Sequence, residues 1–492
     1  MASANQQPCN VLYIMCDSLP PLLTGPYGDR VGHTPHLDRL AAEGVTFTRA
    51  YCNSPLCAPS RASMVTGRYV GELGAFDNAD EFSSNWPTIG DLYGAAGYQT
   101  SIIGKMHFVG HDQHHGFDER IALQTDYSQG FNPDYFRLAY DWAQPSGPNP
   151  AGLEWMSDSY VNSERWEDYR QHYNRDETIH AQALRYLSAR DALSLPFFAC
   201  VSYHAPHNPF WIQPEVRARF AQCDLPLPTI PEGVALCQGV MDQWLNDFHG
   251  MTEEVRAQVM TEENLRWMYS TLYGVVADLD RRIGELLALL ERQGLLEHTA
   301  IIFTSDHGDM LGHHGMIQKR YFYEPSMRIP WLCRFPGHWR RGARVDTPVS
   351  LIDLLPTLAD FTGTDMPDDL PGTSLLPALE GEQALPERTI FAEYHGEGVH
   401  APCFMALRGE YKYIYVHGYE ERLYHLPSDM VEYHNLIADP AHVAVARQLR
   451  EELLRQFDPE QIAQIARRSQ LNRQCLLRLH RMREDARVIN SL

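Results

Sequence analysis

An α/β fold, with a large mostly parallel sheet sandwiched by helices and a smaller α+β unit after it, is what three features of this sequence predict. Short, nearly continuous apolar runs such as Asn10 to Cys16, Phe197 to Ser202 and Thr299 to Ser305 read as strands buried on both faces. Helical periodicity lies between such runs, most plainly from Leu265 to Gly294, just ahead of the third. Polar clusters follow the runs at Asp17, at Lys105 with His107, at His204 with His207, and at Asp306 with His307. Open α/β sheets carry their chemistry at the carboxyl ends of strands, so four clusters there point to one shared site.

Taken in order, the first strand ends in Asp17, and "HTPHLDRLAAEGVTFTRAY" then reads as a helix, a glycine stop and a second strand. In "LCAPSRASMVTGRY" Pro59 suits the first turn of a helix, so Cys57 is expected at the positive end of a helix dipole beside Arg61, a place to hold an anion. Strand patterns recur at "YQTSIIGKMHFV", "PFFACVSYHAP", "TAIIFTSDHGDM" and "MRIPWLCRFPG". Between them, Asp126 to Glu177 is aromatic, rich in Asn, Asp, Gly and Pro, and aperiodic, which reads as an active-site lid or substrate loop. After "LPGTSLLPALEGE" the pattern changes to antiparallel strands joined by Gly-containing turns, and Asp458 to Asp485 is a basic amphipathic helix. The expected organisation is a catalytic α/β domain over 1–372, a small α+β domain over 373–456, and a helical tail over 457–492. That tail is expected to dock on its own or a neighbouring subunit, giving a homo-oligomer, dimer or tetramer.

The 492 residues hold 41 Lys+Arg and 63 Asp+Glu, a net charge of −22 that disfavours nucleic acid or an anionic membrane as partner. No window approaches a membrane span, and the first residues lack a basic region followed by a long apolar stretch, so a cytoplasmic enzyme is expected. The ten cysteines are scattered without CxxC pairs and read as reduced thiols, with Cys16, Cys200 and Cys333 as packing residues.

The residue types around the sheet edge define the chemistry. Asp17, Asp306 and His307 offer two carboxylates and an imidazole, a set suited to Ca²⁺, Mg²⁺ or Mn²⁺, and no thiolate cluster calls for structural zinc. Arg61, Lys105, His107, His204 and Lys319 would ring that metal with cationic or proton-bearing groups. Such a ring stabilises a tetrahedral oxyanion ester, so hydrolysis of a sulfate- or phosphate-type ester is implied. His313 and His314 read as a solvated pair and are left out; His111, His114 and His115 read either as a surface cluster or as pocket lining.

The segment "CAPSR" with "GRY" at Gly67 to Tyr69, Asp17 after the first strand, "GKMHF" at Gly104 to Phe108, His204, "TSDHGDMLG" at Thr304 to Gly312, and Lys319 before "FYE" together resemble the type I sulfatases of the alkaline-phosphatase-like superfamily. "FDNADEF", "GKMHFVGHDQHHGFDERI", "AEYHGEGV" and "RRSQLNR" are similar to the choline-sulfatase branch. The resemblance implies that Cys57 is converted by a maturation enzyme to formylglycine and becomes a metal ligand with Asp17, Asp306 and His307, calcium being favoured. One hydroxyl of the formylglycine hydrate would attack sulfur and the other would later expel sulfate. Lys105 and Lys319 would hold sulfate oxygens, His107 would take a proton from the free hydroxyl, and His204 would act near the leaving-group oxygen. Ser18 stands where many members carry an aspartate and is not counted as a ligand.

The expected substrate is a small organic sulfate ester. A phosphonate monoester or phosphodiester hydrolase on the same scaffold is the runner-up, and a binding protein with a dead site is opposed by the nearly full set of expected positions. For the leaving group, Asn78 and Glu397 could face a choline-like cation, helped by an aromatic residue between Phe131 and Tyr140; Glu397 could equally be a turn or ion-pair residue.

Overall fold

The computed structural model describes residues 9–121, 169–191, 193–337, 340–381 and 383–491. In chain order its strands are β1 (Asn10–Cys16), β2 (Val45–Phe47), β3 (Ala50–Tyr51), β4 (Gln99–Gly104), β5 (Glu119–Ile121), β6 (Phe197–Ser202), β7 (Thr299–Ser305) and β8 (Arg328–Ile329). There follow β9 (Trp331–Arg334), β10 (Ala343–Val345), β11 (Val349–Ser350), β12 (Ile390–Tyr394), β13 (Cys403–Arg408), β14 (Tyr411–Val416) and β15 (Glu420–His425). Eight of them form one sheet in the order β10-β2-β9-β7-β1-β6-β4-β5. Only β9 runs antiparallel to its neighbours β2 and β7. A small sheet, β11-β3-β8, lies apart, and β12 to β15 make an antiparallel meander.

The apolar runs behave as strands buried on both faces require. Along β1, Val11, Tyr13 and Met15 enter one core while Leu12, Ile14 and Cys16 enter the other, as the two-residue repeat of a strand dictates. The helix Glu262–Arg292 covers the second face with Met268, Leu272, Val276, Leu279, Ile283 and Leu286. Its Asp280 also reaches across to accept from the N–H groups of His36 and Leu37, in the first turn of the helix Pro35–Glu43. On the opposite face the helix Cys57–Thr66 is buried along its whole length. At the end of β4, Gly104 has φ +103° and a Cβ there would collide with the carbonyl of Ser202, so only glycine lets the chain turn toward Lys105.

A third core joins the meander to two helices, Val443–Gln456 and Pro459–Ser491, through Phe391, Phe404, Leu449, Leu453, Ile462 and Ala466. The terminal helix docks on its own chain as well: Arg473 pairs with Asp77 and Asp80. The expected lid is corrected at its end, because Tyr169–Ser188 is a helix. The rest of it, including Phe131 to Tyr140, lies outside the described residues. Among the described residues, no helix is long and apolar enough to cross a membrane. All ten cysteines are free, and Cys16, Cys200 and Cys333 are buried.

Candidate active site

Sheet register brings the polar clusters together. Cys16 of β1 pairs with Ser305 of β7, so the next residues, Asp17 and Asp306, leave adjacent parallel strands at the same edge. Gly104 of β4 pairs with Ser202 of β6, which delivers Lys105 and the segment Tyr203 to His207 on the other side of β1. Four neighbouring strands therefore supply one site, and the helix Cys57–Thr66 ends over it with Cys57 as its first residue.

Arg61, fully buried, organises the carboxylates. Its Nη2 lies 2.9 Å from Asp17 Oδ2 and its Nε 2.8 Å from Asp306 Oδ2. The remaining Nη1 donates to the Lys105 carbonyl at 2.5 Å and to Ser202 Oγ at 3.0 Å. The expectation that Arg61 holds the substrate anion is corrected: its guanidinium fork is spent on protein oxygens, and it fixes where the two carboxylates point. Ser18, with φ +65°, adds to this by donating from Oγ to Asp17 Oδ1 at 2.9 Å and from N to Asp306 Oδ1 at 3.2 Å.

Cys57 sits among these groups. Its Sγ is 3.2 Å from His307 Nε2, 3.8 Å from Asp17 Oδ1 and 3.9 Å from Lys105 Nζ. Nδ1 of His307 donates to the Gly308 carbonyl at 2.8 Å, which turns the Nε2 lone pair toward the site. The donor atoms of Asp17, Cys57, Asp306 and His307 lie within 4.8 Å of one another and all four residues are buried. Two carboxylates, one imidazole and a short side chain in this space fit a hard or borderline divalent ion, with Arg61 and Ser18 already orienting the oxygens.

The charges are coupled through the same contacts. Burial opposes the Asp17 charge, but Lys105, His207, Arg61 and His307 outweigh it and hold the carboxyl well below the usual range. Lys105 Nζ is 2.5 Å from Asp17 Oδ2. Burial and the Asp17 carboxylate work against ionising Cys57; Lys105, Lys319 and His307 prevail and lower its pKa well below that of a free thiol. Burial pushes His107 down to about 4 against the pull of Cys57, leaving a neutral imidazole at a left-handed backbone position, φ +55°.

Of the two histidines in "YHAPH", the structure places His207, and not His204, in the reactive cluster. Lys319 Nζ donates to His207 Nε2 at 2.5 Å, and that nitrogen is 4.0 Å from Asp17 Oδ1. Its Nδ1 donates to the Asn208 carbonyl, and burial beside Lys319 lowers its pKa to about 4. His204 is tied to a buried Asp176: the carboxylate accepts from His204 N at 2.7 Å and Ala205 N at 2.8 Å, with the imidazole Nδ1 at 3.5 Å. Asp176, on the helix Tyr169–Ser188, gave no signal in the sequence because it falls in the aperiodic stretch.

Asn78 Oδ1 accepts from the N–H of Ala58 at 3.0 Å, satisfying a free donor at the start of the nucleophile's helix. The Asn78 N–H in turn donates to Glu397 Oε1 at 3.3 Å. Glu397 is buried and paired with Arg320, so the ion-pair reading of this residue is the one the geometry presents. The expectation of a solvated His313–His314 pair is corrected too. His314 is buried, donates from Nε2 to the Val431 carbonyl at 2.7 Å, and stacks on Tyr323 with ring centres 3.9 Å apart. His115 stacks on Phe82 at 4.0 Å and belongs to neither a surface cluster nor the reactive cluster.

Comparison with known proteins agrees with this geometry. Residues 9–364 match the Sulfatase family, and residues 312–458 match the C-terminal region of N-sulphoglucosamine sulphohydrolase. The chain is 32% identical over 450 residues to a choline-sulfatase of Rhizobium meliloti, covering 88% of this chain and 83% of that protein. It is 28% identical over 444 residues to an N-acetylglucosamine-6-O-sulfatase of Bacteroides thetaiotaomicron, covering 78% and 73%. The structure of a phosphonate monoester hydrolase of Agrobacterium radiobacter superposes with a TM-score of 0.69 at 25% identity, covering 93% of this chain and 96% of the other. With its alkaline-phosphatase-like sheet and its buried cluster of two carboxylates, an imidazole and Cys57, the chain belongs to the sulfatase family and is a sulfuric ester hydrolase.

Proposed function

We propose that the protein hydrolyses a small organic sulfate ester to an alcohol and inorganic sulfate, with Cys57 matured to formylglycine by a dedicated enzyme as the source of the nucleophile. The observation that carries this is Cys57 at the first position of a buried helix, its Sγ 3.2 Å from His307 Nε2 and 3.9 Å from Lys105 Nζ. In the mature enzyme an oxygen of the modified side chain would stand where Sγ lies here. The hydrated aldehyde supplies two hydroxyls, one to attack sulfur and one whose deprotonation releases sulfate, which a thiol cannot provide. A divalent ion, calcium before manganese or magnesium, would be held by Asp17, Asp306, His307 and residue 57 and would act as a Lewis acid on the bound oxygens.

The chain's own groups take the remaining tasks. Lys105 and Lys319 hold sulfate oxygens and offset the charge that grows on them in the transition state. His107, neutral near pH 7, is available to take a proton at residue 57. The Lys319–His207 pair replaces His204 in the role at the leaving-group oxygen: His207 Nε2 accepts one N–H of Lys319 and orients the ammonium, whose other N–H groups can give a proton to the departing alkoxide.

A second reading, hydrolysis of a phosphonate monoester or phosphodiester, draws on the likeness to the Agrobacterium enzyme. Comparing kcat/KM for matched sulfate, phosphodiester and phosphonate monoester substrates separates the two. Preference for the sulfate is expected; a preference for either phosphorus ester would move the assignment to the second reading.

A further inference from the structure

We propose that Arg320, by holding Glu397 in an ion pair at the edge of the site, makes the leaving-group side reject a cationic ester in favour of a neutral or anionic one. The inference rests on the sulfatase reading and names the class of substrate within it. Both oxygens of the Glu397 carboxylate are engaged. Oε2 accepts from Arg320 Nε at 3.1 Å and from Nη2, while Oε1 accepts from the Asn78 N–H at 3.3 Å.

The pair stands next to the chemistry on both sides. Arg320 directly follows Lys319, and Asn78 is bound to Ala58, the neighbour of Cys57. The Arg320 backbone is left-handed, φ +90°, with its N–H donating to the Pro55 carbonyl, so its direction is fixed from the main chain outward. Nη1 donates to Gln318 Oε1 at 3.0 Å and faces His249 Nε2 at 3.5 Å, and the guanidinium carbon lies 5.3 Å from the centre of the Phe248 ring. Burial works against the Arg320 charge, but Glu397, Tyr394 and Cys57 outweigh it and keep the guanidinium firmly protonated.

A buried carboxylate beside the nucleophile is what a quaternary ammonium would require, since a desolvated cation needs an opposite charge close by. Here a guanidinium fills that place. Arg320 neutralises the Glu397 charge, so a second cation would find no uncompensated carboxylate there and would meet the guanidinium in a poorly solvated space. A neutral or an anionic group meets no such penalty.

The test compares choline-O-sulfate with its uncharged isostere 3,3-dimethylbutyl sulfate, using formylglycine-bearing wild type, Arg320→Met and the double variant Arg320→Met with Glu397→Gln. Direct titration of choline and 3,3-dimethylbutanol into the same proteins gives a reading that needs no turnover. Wild type is expected to favour the neutral ester. Arg320→Met should move the ratio of kcat/KM values toward the cation by about tenfold or more, and the double variant should abolish that gain. Arg320→Gln, which retains a hydrogen bond to Glu397 without the charge, covers the case in which methionine does not fold; its ratio should move the same way. A wild type that prefers the cation, or a ratio and a choline affinity unchanged by Arg320→Met and Arg320→Gln, overturns the proposal. If no protein turns over either ester while choline binding still strengthens on loss of Arg320, the sulfatase reading fails and the role of the pair stands.

Discussion

Cys57, His204 and His207 carry the sharpest consequences at the scale of single residues. Replacing Cys57 with alanine removes the precursor of the nucleophile while leaving a side chain that fits the helix, so turnover should vanish with the thermal midpoint little changed. The two histidines should then part company. His207→Ala takes away the acceptor that orients Lys319 at 2.5 Å, and kcat for an alkyl sulfate should fall by about 10²–10⁴-fold, the usual range when proton transfer to the leaving group is impaired. His204→Ala should cost far less in kcat, because that ring faces Asp176. Equal losses would return the role to His204. Asp17→Asn and Asp306→Asn each neutralise one carboxylate of the metal cluster, and elemental analysis of purified protein should find the bound divalent ion depleted in both. The sequence displayed the carboxylates, Lys105 and Cys57 because each follows a recognisable strand or opens a helix; Lys319 does neither. It did not separate His204 from His207, which lie three residues apart in one loop, and only the course of the chain beyond β6 decides which ring meets Lys319. Arg61 was legible as a cation beside Cys57, but the direction of its guanidinium depends on two carboxylates far away in sequence.

Elements matter here as platforms that hold the segment from Gly315 to Met327 against the sheet edge. Lys412 of β14 is fully buried and reaches Glu324 Oε1 and Glu432 Oε1, both at 2.7 Å, and the Phe322 carbonyl at 3.0 Å. The meander thereby grips the chain just beyond Lys319 and Arg320. Lys412→Met would leave two buried carboxylates without their cation, and a loss of about 3–5 kcal/mol is expected, read as a lowered midpoint in denaturant. Activity should fall with it, since the same contact steadies the lysine at the site. The strands and the long helix could be read from periodicity, and even the change to antiparallel hairpins after residue 373 was visible in the spacing of Gly-containing turns. The Lys412 network could not be read, because a lysine in an alternating strand looks like a solvent-facing residue until the partner loop is placed over it.

Across the whole molecule, buried histidines link stability to pH. Burial lowers His313 and His314 to about 4, below the ordinary value near 6.5 that the unfolded chain would have. Between those values the unfolded state binds more protons, so their contribution is complete above about pH 6.5 and is lost as the pH falls toward 4. For His314 alone the change is on the order of 3 kcal/mol. His314→Gln should therefore show a smaller drop in thermal midpoint between about pH 7 and pH 5 than wild type does, even though loss of the Tyr323 stack lowers the midpoint at both. An unchanged drop would place the acid sensitivity elsewhere. The measurement that bears most directly on the central claim is mass spectrometry of the peptide containing Cys57, taken from enzyme whose sulfate-ester turnover has just been measured. The expected result is the aldehyde in place of the thiol, with the converted fraction tracking specific activity across preparations. An unmodified thiol at Cys57 in fully active enzyme would contradict it.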